Sequence, residues 1–239
     1  MSQPLDWTSV SDDPNNREAK AAVRAWLKAA QRIHVDCELM DYVENMARGR
    51  RVLDIGMAAH AMRYVDQPQW RHARIARAAS HCLGIDILES LTAELGKRGF
   101  NVRCVDATSD ADLGERFDMV FAGDVVEHVD NVVRLLQFAA RHLAHGGRLY
   151  VATPNPFSRK FFRQLKRDGV MVVNLDHIAW ITPTQAMELA RRAGIALAAY
   201  HLIKPISGVS LAIKRAIGWR LEPAEFSFPD YLYEFVRPD

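Results

Sequence analysis

Val52-Leu53-Asp54-Ile55-Gly56 opens the stretch on which the reading of this chain turns. A short apolar run ends in an acid and a glycine. The texture returns in Cys82-Leu83-Gly84-Ile85-Asp86, in Val102-Arg103-Cys104-Val105-Asp106, and in Phe117-Asp118-Met119-Val120-Phe121-Ala122 before Gly123-Asp124; a fifth run covers 148–153. Short runs of this kind suit strands covered on both faces, as in a parallel sheet. Helical patterns lie between them, the clearest being Val132, Leu135, Leu136, Ala139, Ala140 and Leu143. That pattern runs to His145-Gly146-Gly147, where glycines suit a helix C-terminus. Strand and helix in alternation predict an α/β fold with a parallel core.

Working outward, residues 17–47 carry Ala22, Val23, Trp26, Leu27, Ala30, Ile33 and His34 at helical intervals, then Leu39, Tyr42, Val43 and Met46, which predicts two helices before the sheet. Downstream, Thr182-Pro183-Thr184 opens a helix with Ala186, Leu189, Ala190 and Ala193 before Gly194, leading into a strand at 195–203. Tyr231-Leu232-Tyr233-Glu234-Phe235-Val236 reads as a last strand. The expected architecture is a doubly wound, mostly parallel seven-stranded sheet behind two N-terminal helices. With no repeat and no low-complexity linker, residues 1–239 read as one domain.

Thirty-one Lys and Arg stand against 29 Asp and Glu, a net charge of +2, so the whole chain makes no electrostatic case for DNA or an anionic surface. Cys37, Cys82 and Cys104 are odd in number and scattered, which suits a reducing compartment. The polar start lacks a leader pattern and no apolar run reaches the ~18 residues of a membrane span. The expectation is a cytoplasmic protein without membrane insertion.

In open α/β sheets ligands sit outside the carboxyl ends of the strands, where Asp54, Asp86 and Asp106 fall. An acid ending the second of these strands suits a ribose diol, and a glycine after the first lets backbone approach a ligand. A dinucleotide-binding fold shares that acid. The full series, with Gly84-Ile85-Asp86-Ile87, Val105-Asp106-Ala107, Asp124-Val125-Val126-Glu127-His128-Val129 and Leu143-Ala144-His145-Gly146-Gly147, resembles the class I methyltransferases dependent on S-adenosyl-L-methionine (SAM), over roughly 51–200. The resemblance implies SAM as cofactor, with Gly56 facing its methionine part, Asp86 its ribose, and Asp106 and Ala107 its adenine. Asp54, Ala58, Ile87 and Asp124 complete the implied set. Residues 51–153 would then form the cofactor half and 154–239 the acceptor half. The first loop departs from the family's Asp-x-Gly-x-Gly-x-Gly, since Ala58 and His60 stand in the later glycine positions. That departure keeps a non-catalytic SAM-binding partner protein open as an alternative.

A sulfonium methyl is already activated, so the protein must chiefly hold an acceptor in line with it. A base is needed where the acceptor carries a proton, and His128 is the first candidate, His177 in Asp176-His177-Ile178-Ala179-Trp180 the second. Asp124-x-x-Glu127-His128 also resembles ubiquinone-biosynthesis and small-RNA O-methyltransferases, in which acids and a histidine can hold a divalent ion. The expectation here is chemistry on oxygen without a metal. The segment 158–169 sets Arg159, Lys160, Arg163, Lys166 and Arg167 beside Phe161, Phe162 and Leu165, an amphipathic helix suited to roof a pocket and, if its charges face the acceptor, to favour phosphate or carboxylate. Pro68-Gln69-Trp70-Arg71-His72, with Thr153-Pro154-Asn155-Pro156-Phe157, resembles bacterial methyltransferases of polysaccharide and glycolipid assembly, although Trp70 and His72 read equally well as helix packing. The expected acceptor is a small-molecule or saccharide hydroxyl. RNA or protein methylation is the competing enzyme reading, weakened by the absence of a basic excess and of an Asn-Pro-Pro-Tyr type motif.

Overall fold

A computed structural model of the chain describes residues 4–58, 62–205 and 223–238. Its eight strands are β1 (Gln31–His34), β2 (Arg51–Ile55), β3 (His81–Asp86), β4 (Val102–Cys104), β5 (Phe117–Gly123), β6 (Leu143–Pro154), β7 (Ala196–Ile203) and β8 (Asp230–Val236). They form one sheet in the order β1-β7-β8-β6-β5-β2-β3-β4. All neighbouring pairs are parallel except those of β8, which runs antiparallel between β6 and β7. The helices are α1 (Arg17–Ala30), α2 (Leu39–Ala47), α3 (Met62–Val65), α4 (Arg71–Ala78), α5 (Glu89–Lys97), α6 (Val132–Arg141), α7 (Arg159–Asp168) and α8 (Pro183–Arg192). Among the described residues, no helix is long and apolar enough to cross a membrane.

Both faces of the sheet are covered, as the uninterrupted apolar runs require. Along β5, Val120 and Ala122 join a core with Leu135, Leu136 and Ala139 of α6 and Ala186 and Ala190 of α8. The intervening Met119 and Phe121 join a core on the opposite face with Val43 and Ala47 of α2 and Ile75 of α4. A strand with period-2 side chains therefore feeds two apolar layers at once. From β2 the chain winds outward through β3 to β4, then returns to β5 on the other side of β2. The β2/β5 junction is the point where the winding reverses, and ligands of such sheets bind there.

The structure corrects two boundaries. The count is eight strands rather than seven, because α1 ends at Ala30 and Gln31–His34 becomes an edge strand beside β7. Ile33 and His34 continue the helical spacing, but pairing with Tyr200 to Ile203 outweighs that local preference. The helix α6 stops at Arg141, well before His145-Gly146-Gly147. Buried His142 caps it with Nδ1 against Phe138 O at 2.8 Å and accepts from Leu113 N at Nε2, 3.0 Å away. Phe117 pairs with Leu143 and Met119 with Arg148, so the glycines lie in a register shift of β6. The α8 boundary is as read, with a reciprocal capping box between Thr182 and Gln185.

Candidate active site

Two cavities meet at the carboxyl end of the sheet. The first, about 820 Å3, runs from the β2 end past β3 and β4 to the turn after β5. Gly56, Ala58, Asp86, Ile87, Asp106, Ala107, Asp124 and His128 all line it. Gly56 has φ +70°, and a Cβ there would stand 2.3 Å from Val125 Cγ2, so no side chain fits. Asp86 accepts from Ala58 N at 2.9 Å and from Leu88 N at 3.0 Å, which fixes its carboxylate in the cavity lining. Asp106 holds its own turn by accepting from Thr108 N and Oγ1, both at 2.7 Å. Ile87 is 67 % exposed although apolar, and it lines the cavity beside Asp86.

Asp54 departs from expectation. Its carboxylate is fully buried beneath the loop, 2.8 Å from His72 Nδ1, and does not line the cleft. The same three-residue run at the start of α4 holds the loop twice more. Trp70 Nε1 donates to Met57 O at 3.1 Å, and Arg71 Nη2 donates to Gly56 O at 3.2 Å while Nη1 pairs with Asp124 at 3.1 Å. Trp70, Arg71 and His72 thus hold Asp54, Gly56 and Met57, the residues that lead into Ala58. The sequence reading divides Trp70 and His72 evenly between a motif and helix packing and gives Arg71 no role of its own, because nothing in a one-dimensional pattern pairs residue 71 with 56 and 124. His60 lies outside the described residues.

The second cavity, about 640 Å3, lies under α7 and the chain after it. Lys160, Phe161, Arg163, Gln164 and Arg167 form one wall, with His177 and Asp230 on the sheet side. Ile178 N donates to Glu127 O at 2.9 Å, so the loop after α7 is tied to the turn after β5. That tie brings His177 against His128, their rings edge to face at 4.6 Å. His128 borders the first cavity and His177 the second. Asp176 carries an oxygen 3.2 Å from His128 Nδ1. Burial lowers the His177 pKa, and His128 beside it lowers it further.

Glu127 lies beneath the pair, 1 % exposed, accepting from Thr153 Oγ1 at 3.1 Å through one oxygen while the other has no hydrogen-bond partner. Burial pushes its carboxyl up to about 7, with Asp124 adding to the rise. Burial also pushes Asp230 up to about 6, with Asp124 again contributing and Lys160 opposing. One ligand atom from each of Glu127, His128 and His177 lies within 4.8 Å of the others. A carboxylate and two imidazoles suit a borderline divalent ion, and the unpaired Glu127 oxygen is a donor such an ion would satisfy.

The match that decides the family covers residues 29–200, which fit the model described as a methyltransferase domain. The chain belongs to the methyltransferase-domain family. It is a class I SAM-dependent methyltransferase, with SAM as its cofactor. It is 22% identical over 203 residues to a ubiquinone biosynthesis O-methyltransferase of Aeromonas salmonicida, covering 80% of this chain and 78% of that one. A protein of the same description from Rhizobium rhizogenes is 34% identical over 113 residues, 45% of this chain and 42% of the relative. Among solved structures, the fold matches a SAM-dependent methyltransferase from Archaeoglobus fulgidus at TM-score 0.55 and 19% identity, over 90% of this chain and 93% of that one. It matches magnesium protoporphyrin IX methyltransferase from Synechocystis, with bound SAH, at TM-score 0.52 and 15% identity, over 97% and 93%.

Proposed function

We propose that this methyltransferase transfers the SAM methyl group to a hydroxyl oxygen of a small molecule held in the second cavity. The observation that carries this reading is the junction: His128 and His177 are in contact, and each lines a different cavity. A methyl donor on one side and a hydroxyl on the other would meet at that pair. SAM when bound would supply an activated methyl group, its sulfur keeping the bonding electrons as the acceptor oxygen takes the methyl, and His128 would take the hydroxyl proton. Asp176 beside Nδ1 supports that role, since a carboxylate there orients the imidazole and stabilises its protonated form. His177 then orients the acceptor. In the cofactor cleft, Asp86 would take the ribose diol, Gly56 and Ala58 the methionine part, and Ile87, Asp106 and Ala107 the adenine, with Arg71 and Asp124 fixing the loop between them. Asp54 acts from below through His72.

Lys160, Arg163 and Arg167 on the cavity wall favour an acceptor that also bears phosphate or carboxylate. The O-methyltransferase descriptions of the relatives support oxygen as the methylated atom. A phosphorylated or acidic saccharide fits the same chemistry. Three unpaired cysteines support a cytoplasmic setting.

The Glu127, His128 and His177 cluster favours a second reading, in which those residues hold a divalent cation. The cation would polarise the acceptor oxygen and lower its pKa. Single-turnover methylation at saturating SAM separates the readings. Loss of His128 as a base should cost about 10²–10⁴ in rate with cofactor affinity retained, and His177→Ala less. A larger defect in the His177 variant reverses the roles. Activity abolished by chelator and restored by magnesium or zinc replaces the metal-free reading with the second.

A further inference from the structure

We propose that the face formed by α7 and the chain after it, residues 157–178, docks the protein onto an anionic lipid surface without crossing it. The helix α7 is mounted against the usual rule for a surface helix. No residue of it is buried, and the wall it presents to the second cavity carries Lys160, Arg163 and Arg167. Phe162 and Leu165, one turn apart, instead face solvent at 66 % and 48 % exposure. The chain continues this pattern through Val170, Met171, Val172, Leu175 and Ile178, with Leu175 93 % exposed and Phe157 leading in from the other end. Eight of the thirteen exposed large apolar residues described in this chain fall in these 22 positions. Soluble surfaces rarely concentrate apolar side chains in this way unless something covers them.

Charge identifies what covers them. Residues 157–178 hold five Lys and Arg against two Asp, a net +3, so the rest of a chain of net +2 stands at −1. The cations all lie on α7, Arg159 and Lys166 outside the cavity lining and Lys160, Arg163 and Arg167 at its wall, directly before the apolar stretch 169–178, whose one charged residue is Asp176. A short helix that interleaves apolar side chains with Lys and Arg, followed by an exposed apolar stretch, matches the boundary between anionic headgroups and acyl chains. A second protein surface would complement the apolar stripe but would need a matching acidic face. The rest of this chain, nearly neutral, supplies no general excess of that sign. Docking in this way would set the mouth of the second cavity at the lipid surface.

The test uses the full chain and co-sedimentation with large vesicles of phosphatidylcholine, alone or mixed with phosphatidylglycerol. The chain should pellet with the mixed vesicles, and more weakly as salt is raised, because screening shortens the reach of the attraction. Phe162→Glu with Leu175→Glu, both outside the two cavities, should lower partitioning more than tenfold while a thermal melt and SAM affinity stay as in the wild type. Lys166→Ala should lower it about fivefold, the expected share of one cation near such a surface. Absence of binding to mixed vesicles overturns the proposal, as does binding that survives in the double variant. Self-association without lipid that the double variant abolishes also overturns it, assigning the stripe to a second copy of the chain.

Discussion

The two cavities are built by different means, and their titratable groups differ accordingly. The first is made from strand ends, and its acids are held in place, Asp86 by two backbone N–H groups and Asp106 by its own turn, with Asp54 held by His72 beneath the lining. The second is made from α7 and the loop after it, and its titratable groups sit in surroundings that oppose their charge. Asp230 is pushed upward and His177 downward, each chiefly by burial, and Glu127, buried behind the lining, is pushed upward in the same way. On the proposed function, a cofactor used in every turnover calls for a fixed cradle, whereas acid–base chemistry calls for groups whose protonation lies near neutrality.

The most severe way to break the first cavity is to remove the partner of Asp54. His72→Ala leaves a fully buried carboxylate alone and opens space beside Trp70, so unfolding free energy in denaturant should fall by about 3–5 kcal/mol. SAM affinity should fall with it. A loss below about 1 kcal/mol would mean that the pair does not anchor the loop.

The second cavity predicts the opposite sign. The Asp230 carboxyl, raised to about 6 by burial and by Asp124, contributes stability that is fully present below the ordinary aspartate range and is lost as pH rises through 6. Asp230→Asn should therefore be more stable than wild type at pH 7, by roughly 1–2 kcal/mol, with the gain vanishing below about pH 4. Thermal melts across that range check it, and a variant that is less stable at pH 7 would contradict the assigned strain.

A milder test sharpens the cofactor side. Asp86→Ala should weaken SAM binding at least about tenfold in calorimetry, since charge-assisted bonds to a diol are worth roughly 1.5–3 kcal/mol. Unchanged affinity in a folded variant removes Asp86 from the cofactor's ribose. Arg71→Ala, which frees Gly56 O and Asp124, should give a smaller loss through the loop.

The parallel sheet, its order of strand and helix, and the places of Gly56, Asp86, Asp106 and His128 around the first cavity were legible along the chain, because buried parallel strands write themselves as local apolar runs and the cavity opens at the ends of those runs. The edge strand at Gln31–His34 was not, since four residues continuing a helical spacing become a strand only when β7 lies beside them. Nor was the fate of Asp54, because its partner His72 is 18 positions away on another element. The meeting of His128 with His177 rests on the Ile178 to Glu127 hydrogen bond, a contact across 51 residues. Local pattern encodes which segments are strands and which residues cap them. Which side chains face one another across a cavity depends on long-range closure, and that was decided only when the chain folded.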